Sequence, residues 1–506
     1  MNILTTAMLS MVLLLPAFPG SATPYTEDAQ KRVEQHFPKA IETLYKDYRL
    51  QGDLLIAVVD ADGLRYVYTL NPKGANSEKN GLTVETPFLI ASHTKAFTGT
   101  LATILQQQEK FDLKASLDHY LSDVILDSRV ATDMITIEDL LSHTAGFTSV
   151  LHTFKTAFLG YASDAKLIEA LNEEMLVVAP GEFRYSNTGP ILAAMAMEKA
   201  TGKKWQELMK QELFEPLEMH NTSSYLSDYP PSEILPSIEV ASDGQILRAD
   251  LYKTDKTLHA AGGTVSTLAD MAKWMQFNLE KGKRLNLSPD FFTSLHESIV
   301  AQDKRYFTYN RRGYSLAWDI ADYHNQTILT RFGGFGGVSF HASFMPSEQL
   351  AVIAFFNDER GYVLPHLAAN YLYNLVLEPS EAKARYSKEL DSFKRSFERE
   401  SGRAFNREKL ALLSKDWQKL LGEYQSDKKW PSIEFFAKGS HVWMRWGDLS
   451  GPLVSSPSEQ HTYTAALGPL RRIITIKNDS SGSVHIKNGS IFFYRKREKG
   501  LPPHKL

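Results

Sequence analysis

Apolar residues recur at helical spacing from Tyr25 to about Lys46, and the pattern then changes to two short runs, Asp53-Leu-Leu-Ile-Ala-Val-Val-Asp and Arg65-Tyr-Val-Tyr-Thr-Leu. Joined through Asp62-Gly63, these read as the strands of a hairpin, so a helix and a hairpin open the fold. Phe88, Leu89, Ile90 and Ala91 form an apolar approach to a segment, Ala96 through Thr103, rich in small and apolar residues, as a buried helix requires. Helical patterns fill the middle of the chain, including Ile137 to Ser142 and Pro190 to Ala200. Strand patterns return at Gln326 to Arg331, Ser339 to Phe344 and Leu350 to Phe356, so the sheet draws on both ends of one domain. A helix from about Leu364 to Leu377 closes it.

The stretch from Ser380 to Arg407, rich in Lys, Glu and Arg, predicts a charged helical linker exposed to solvent. Beyond Trp417 the texture changes to alternating runs such as Ile433-Glu-Phe-Phe and His441-Val-Trp-Met-Arg-Trp, with a strong hairpin signal at Val484-His-Ile-Lys-Asn-Gly-Ser-Ile-Phe-Phe-Tyr. The expected organisation is a main domain over 23–380, the linker over 381–415 and a small all-β module over 416–500. Residues Met8 to Phe18 are mostly apolar but short for a bilayer, and Gly20-Ser21-Ala22 offers a small-residue cleavage site. Residues 1–22 therefore read as an export signal, which predicts a periplasmic or secreted protein without a stable membrane span; an uncleaved anchor is the alternative.

The net charge of −3 over 506 residues argues against a nucleic-acid partner. Cysteine is absent, which excludes disulfides, thiolate metal sites and a catalytic thiol. Any nucleophile must be oxygen or nitrogen.

Ser92-His93-Thr94-Lys95 sits at the start of the apolar helix, with Ser92 and Lys95 three residues apart and so on one face. The same spacing at Ser163/Lys166, Ser380/Lys383 and Ser426/Lys429 falls among charged residues and reads as surface. If Ser92 is the nucleophile, Lys95 takes its proton only where burial or nearby positive charge keeps the amine neutral. Tyr185-Ser186-Asn187, after Pro180-Gly181, offers a phenol and an amide that could pass a proton to a leaving group; Tyr323-His324-Asn325 has the same form. Arg331-Phe-Gly-Gly-Phe-Gly-Gly combines a cation with glycines that admit close backbone approach. No phosphate loop, His-Glu-x-x-His or Gly-x-Ser-x-Gly motif is present.

In this order, the three elements resemble the serine β-lactamase and penicillin-binding-protein superfamily, and the Tyr-x-Asn form points to its class C branch of carboxypeptidases, D-aminopeptidases and esterases. Ile135-Thr-Ile-Glu-Asp-Leu-Leu-Ser-His-Thr-Ala-Gly-Phe, Glu215-Pro-Leu-Glu-Met and Ala261-Gly-Gly-Thr-Val-Ser-Thr-Leu-Ala-Asp-Met are similar to further stretches of that family, and the likeness covers most of residues 30 to 380. The resemblance implies an α+β fold: a β-lactamase/transpeptidase-like catalytic domain, an antiparallel sheet flanked by helices, with the small C-terminal all-β domain appended. It implies Ser92 as the acylated nucleophile, Lys95 as general base and Tyr185 as the acid that then activates water. Asn187, Arg331, Gly333 and Gly334 would bind substrate, with the oxyanion between the N–H groups of Ser92 and Gly334. Arg331-Phe332-Gly333 departs from the usual Lys or His, then Thr, then Gly: arginine can hold a carboxylate but hardly move a proton, and Phe332 lacks a hydroxyl.

The expected function is hydrolysis of an ester, a D-amino acid type peptide or a lactam through a Ser92 acyl-enzyme, with no cofactor or metal and a small-molecule or peptide substrate, peptidoglycan being one source of it. The alternatives are a non-catalytic or slowly acylated penicillin-binding sensor of peptidoglycan fragments and a true β-lactamase.

Overall fold

A computed structural model describes residues 24–71, 81–160, 163–173, 175–241, 244–285, 287–402, 407–426, 430–447, 449–456, 461–468, 470–478, 484–489 and 491–495. The expected export signal lies outside these residues, and no helix among them is long and apolar enough to cross a membrane.

Helix α1 (Glu27–Tyr48) starts at Thr26, whose side chain accepts the Ala29 N–H, and is followed by strands β1 (Leu54–Asp60) and β2 (Gly63–Leu70). Helices α2 (Thr94–Gln107), α3 (Val150–Phe158), α4 (Thr188–Thr201) and α5 (Leu268–Leu279) occupy the middle. Six strands follow: β3 (Val300–Tyr306), β4 (Tyr309–Tyr314), β5 (Asp319–Tyr323), β6 (Gln326–Phe335), β7 (Val338–Met345) and β8 (Leu350–Phe356). The antiparallel sheet runs β2-β1-β8-β7-β6-β5-β4-β3, so the first hairpin joins the last strand.

The period of two along β1 feeds two cores. Leu55, Ala57 and Val59 face a core shared with Phe97 and Leu101 of α2 and Met271 and Trp274 of α5, while Leu54, Ile56 and Val58 face a second core with Phe37 and Ile41 of α1. Helix α6 (Leu364–Leu377) supplies Leu367, Ala368 and Leu372 to that second core. Both faces of β1 and β8 are therefore buried, which is why they read as unbroken apolar runs.

Two features differ from the sequence reading. Strand β3 lacks an apolar signature because it is an edge strand, mostly exposed and carrying Gln302-Asp-Lys-Arg305, while the inner strands β4 and β5 are short and broken by Asn310-Arg311-Arg312 and by Asp319 and Asp322. The charged stretch after Ser380 is a packed helix, α7 (Ala382–Ser401), rather than a solvated connection: Tyr386, Leu390, Phe393 and Phe397 recur at helical spacing, and Phe393 lies 5.1 Å from Tyr48.

From Gly422 to Arg495 eight antiparallel strands close into a barrel, the all-β module expected from the alternating pattern. Its core includes Tyr424, Phe435, Met444, Trp446 and Phe493, and α3 docks against it: Phe154 stacks 4.4 Å from Trp446. Gly447 allows this contact, since a Cβ there would collide with Leu159.

Candidate active site

The short strand Phe88–Leu89 leads into a single 3-10 turn, Ala91–His93, and α2 begins directly after it. Ala91 holds a left-handed φ of 47°, a strained conformation for a residue with a Cβ that turns the chain abruptly at Ser92. The i,i+3 geometry then places Lys95 beneath the serine, with Nζ donating to Ser92 Oγ at 3.2 Å. Lys95 also donates to Asn187 Oδ1 at 2.7 Å and to the Ala261 carbonyl at 2.6 Å, so all three ammonium protons have acceptors. Only 2% of Lys95 is exposed, and among the described residues its hydrogen-bond partners include no carboxylate. Burial, with a smaller push from the Arg331 charge against the pull of Tyr185, brings its amine down to about 8.

Asn187 occupies the N-cap position of α4, but its side chain makes no capping bond and turns to Lys95 instead. The turn before it is held by the Ser186 N–H donating to His143 Nδ1 at 3.3 Å and by the Ser186 hydroxyl reaching Thr148 at 3.2 Å. His143 is therefore a brace for this loop, as a lone histidine without an acidic partner suggests. Tyr185 stands over the site, with its ring 4.7 Å from Lys95 Nζ. The phenol edge faces solvent, since 49% of the residue is exposed, while its hydroxyl is held inward by Arg331 Nη2 at 3.1 Å. Burial of the hydroxyl pushes the phenol up, but the charges of Lys95 and Arg331 and hydrogen bonds from Lys95 and Ser92 outweigh it and bring it down to about 8.

Strand β6 delivers Arg331, Gly333 and Gly334 to the other side of Ser92. A Cβ at Gly333 would collide with the Ile90 carbonyl, so this glycine lets the strand pack against the Ser92 turn, and a Cβ at Gly334 would collide with the Tyr362 hydroxyl. The strand is also tied to that turn by His93, whose Nε2 accepts from Trp274 at 3.0 Å; the ring's other nitrogen, Nδ1, then carries the proton and donates to the Arg331 carbonyl at 3.2 Å. Arg331 is 3% exposed, and its guanidinium is turned inward rather than presented as an open fork for a carboxylate. Nε donates to the Ser92 carbonyl at 3.3 Å, Nη1 to Asp319 at 3.3 Å and Nη2 to Tyr185. Burial pulls its pKa down, yet Tyr314, Tyr185 and Asp319 hold it above the ordinary arginine value, so it stays charged.

The structure thus brings Ser92, Lys95, Tyr185, Asn187, Arg331, Gly333 and Gly334 into one cluster. It separates the look-alikes. Tyr323 donates to Glu389 at 2.9 Å in the second core, and His324-Asn325, with φ of 45° and 68°, form the two-residue turn between β5 and β6. Ser163, Lys166, Ser380 and Lys383 lie exposed; Lys429 is outside the described residues. Asp319 and the Ala261 carbonyl were not foreseen, since a lone Asp at a strand start and a backbone oxygen carry no motif.

The sequence profile of the Beta-lactamase family matches residues 34–373. Similar proteins include an unguisins hydrolase of Aspergillus campestris, 25% identical over 365 residues that make up 69% of this chain and 66% of that protein. Penicillin-binding protein 4* of Bacillus subtilis is 25% identical over 60% of this chain and 67% of its own length. The chain thus spans about two thirds of the length of these relatives. Among solved structures, the octameric penicillin-binding protein homologue from Pyrococcus abyssi aligns with 91% of this chain and 99% of its own at a TM-score of 0.59 and 18% identity, so the shared fold takes in the barrel. The D-amino acid amidase from Ochrobactrum anthropi aligns with 71% of this chain and 99% of its own at a TM-score of 0.58 and 18% identity. With a β-lactamase-like sheet-and-helix domain and a profile match over most of its length, the chain is a member of the Beta-lactamase family.

Proposed function

We propose that the protein is a serine hydrolase that forms an acyl-enzyme at Ser92 from an ester or amide lacking a free carboxylate beside the scissile bond, and releases the acyl group to water. One observation carries the chemistry: Lys95 Nζ, buried with no carboxylate partner among the described residues, donates to Ser92 Oγ at 3.2 Å and lies 4.7 Å from the Tyr185 ring. A neutral Lys95 or an ionised Tyr185 takes the Ser92 proton as Oγ attacks the carbonyl carbon. The oxyanion lies between the N–H groups of Ser92 and Gly334. Tyr185 returns a proton to the departing oxygen or nitrogen, and then draws one from the water that attacks the ester bond to Ser92. With Asn187 Oδ1 spent on Lys95, its amide nitrogen is the half able to donate to a substrate carbonyl.

The commitment of Arg331 to Ser92, Asp319 and Tyr185 favours an uncharged substrate over a β-lactam or a peptide with a free C-terminus. The apolar leader Met8–Phe18 supports action in the periplasm or outside the cell. Incubation with neutral phenyl esters, D-amino acid amides and nitrocefin, followed by intact-mass measurement, tests the reading. Acyl adducts and turnover are expected from the esters and amides, which carry no carboxylate, and none from the Ser92→Ala protein. Turnover persisting in Ser92→Ala, or an adduct that forms and never hydrolyses, rules the proposal out.

A further inference from the structure

Asp319 opens β5 opposite Thr330, one residue before Arg331 in the neighbouring strand, and is 1% exposed. Its Oδ2 accepts from Arg331 Nη1 at 3.3 Å and lies 3.5 Å from Arg311 Nη2, while Oδ1 accepts from Gln302 Nε2 at 3.0 Å. Arg311 is itself fixed, its guanidinium lying 4.7 Å from the Tyr306 ring and 5.4 Å from that of Phe332. One buried carboxylate therefore serves two arginines, and with Nη1 bound to Asp319 the other nitrogens of Arg331 reach the Tyr185 hydroxyl through Nη2 and the Ser92 carbonyl through Nε. Without it the guanidinium keeps only the Ser92 carbonyl, the Tyr185 hydroxyl and the Tyr314 ring as inward partners, none of them a counter-charge.

We propose that Asp319 is a specificity-determining and positioning residue: by holding Arg331 away from the cleft it makes the site reject substrates with a carboxylate on the leaving group, and it commits the arginine to Tyr185 instead. The inference rests on reading Ser92 as the nucleophile for uncharged carbonyl substrates. The groups facing this pair are Arg311, Lys95, Tyr185, Tyr314 and His143; of these only the first two carry positive charge at neutral pH, since burial, with the Arg331 and Lys95 charges adding to it, holds His143 well below the usual histidine range. Neutralising Asp319 leaves the Arg331 charge less compensated, which lowers the Tyr185 phenol and the Lys95 amine further. It also frees a planar fork suited to bidentate pairing with a carboxylate.

The experiment compares phenyl acetate with 3-carboxyphenyl acetate, which differ only in a carboxylate on the leaving group, in the full chain and in its Asp319→Asn and Arg331→Lys variants. Lysine at 331 keeps the charge but has one head that cannot span the Ser92 carbonyl, Asp319 and Tyr185 together. In both variants the ratio of kcat/KM for the carboxylated over the plain ester should rise about tenfold, mainly through KM, the size of one charge-assisted hydrogen bond. In Asp319→Asn the rise of kcat/KM with pH should also move to lower pH, and Asp319→Glu should restore the original ratio. A buried ion pair of purely structural value would lower thermal stability and leave both ratio and pH profile in place, and that result overturns the inference. Failure of the unaltered protein to leave an acetyl group on Ser92 defeats the hydrolase reading itself, whatever the variants do.

Discussion

The Trp274 indole N–H donates to His93 Nε2 at 3.0 Å, and this one bond fixes which ring nitrogen faces the strand that carries Arg331. His93 is fully buried, and burial holds it near 3, so it is neutral at every pH at which the protein is expected to work. The result is a hydrogen-bonded link from α5 through the Ser92 turn to β6.

Trp274→Phe keeps most of the packing but leaves a buried imidazole nitrogen without its donor, which costs about 1–3 kcal/mol. Urea denaturation should show that loss. Fluorophosphonate labelling of Ser92 should slow as well, because the turn and the strand are no longer pinned; unchanged labelling kinetics would mean that the link is purely structural.

Gly333→Ala places a methyl against the Ile90 carbonyl, a backbone atom that cannot step aside. Overpacking of this kind costs about 1–3 kcal/mol, and here it also pushes β6 away from Ser92. A lower melting temperature together with loss of acyl-enzyme in intact-mass spectra is expected. Gly439→Ala, where a Cβ meets nothing within 4 Å, is the comparison for glycine loss at a left-handed turn far from the cleft.

Lys95 and Tyr185 are both brought down to about 8, and they share one another's field, so they titrate as a pair. Acylation needs a proton acceptor next to Ser92, hence kcat/KM for a neutral ester should rise with pH through a limb near 8 and level off above it. Tyr185→Phe should remove most of the turnover and alter the limb. A rate flat from pH 6 to 9 would show that neither group takes the proton.

Phe154 joins the barrel to the main domain, 4.4 Å from Trp446 and 5.5 Å from Trp430. Its helix also touches the loop of Tyr185 and Asn187, because His152 Nδ1 lies 3.2 Å from the Thr188 hydroxyl. Phe154→Ala removes a half-buried ring and should cost about 2 kcal/mol, less than a fully buried phenylalanine. Faster proteolytic release of the barrel and a raised KM are expected; an unchanged KM would separate barrel docking from the cleft.

Much of this site was legible in the sequence because its parts are local. Ser92 and Lys95 are one turn apart in an apolar segment, and Tyr185 and Asn187 are two residues apart after a Pro-Gly turn, so short-range periodicity exposes them. The central strands β1 and β8 were equally plain, being apolar on both faces. The edge strand β3 was not, since an exposed edge selects polar residues that look like loop; the short inner strands β4 and β5 were broken by charged residues, and the packed face of α7 was hidden under its charges.

By itself the sequence determined that any nucleophile must be oxygen or nitrogen, which serine has a lysine one turn away in an apolar segment, and that a β-module follows the main domain, because absence of cysteine, local spacing and alternation need no knowledge of distant contacts. The tertiary structure decided what Arg331 does. A guanidinium shared among Ser92, Asp319 and Tyr185 joins residues up to 239 positions apart, and whether it faces a substrate or a phenol depends on a carboxylate that only the pairing of β5 with β6 brings beside it.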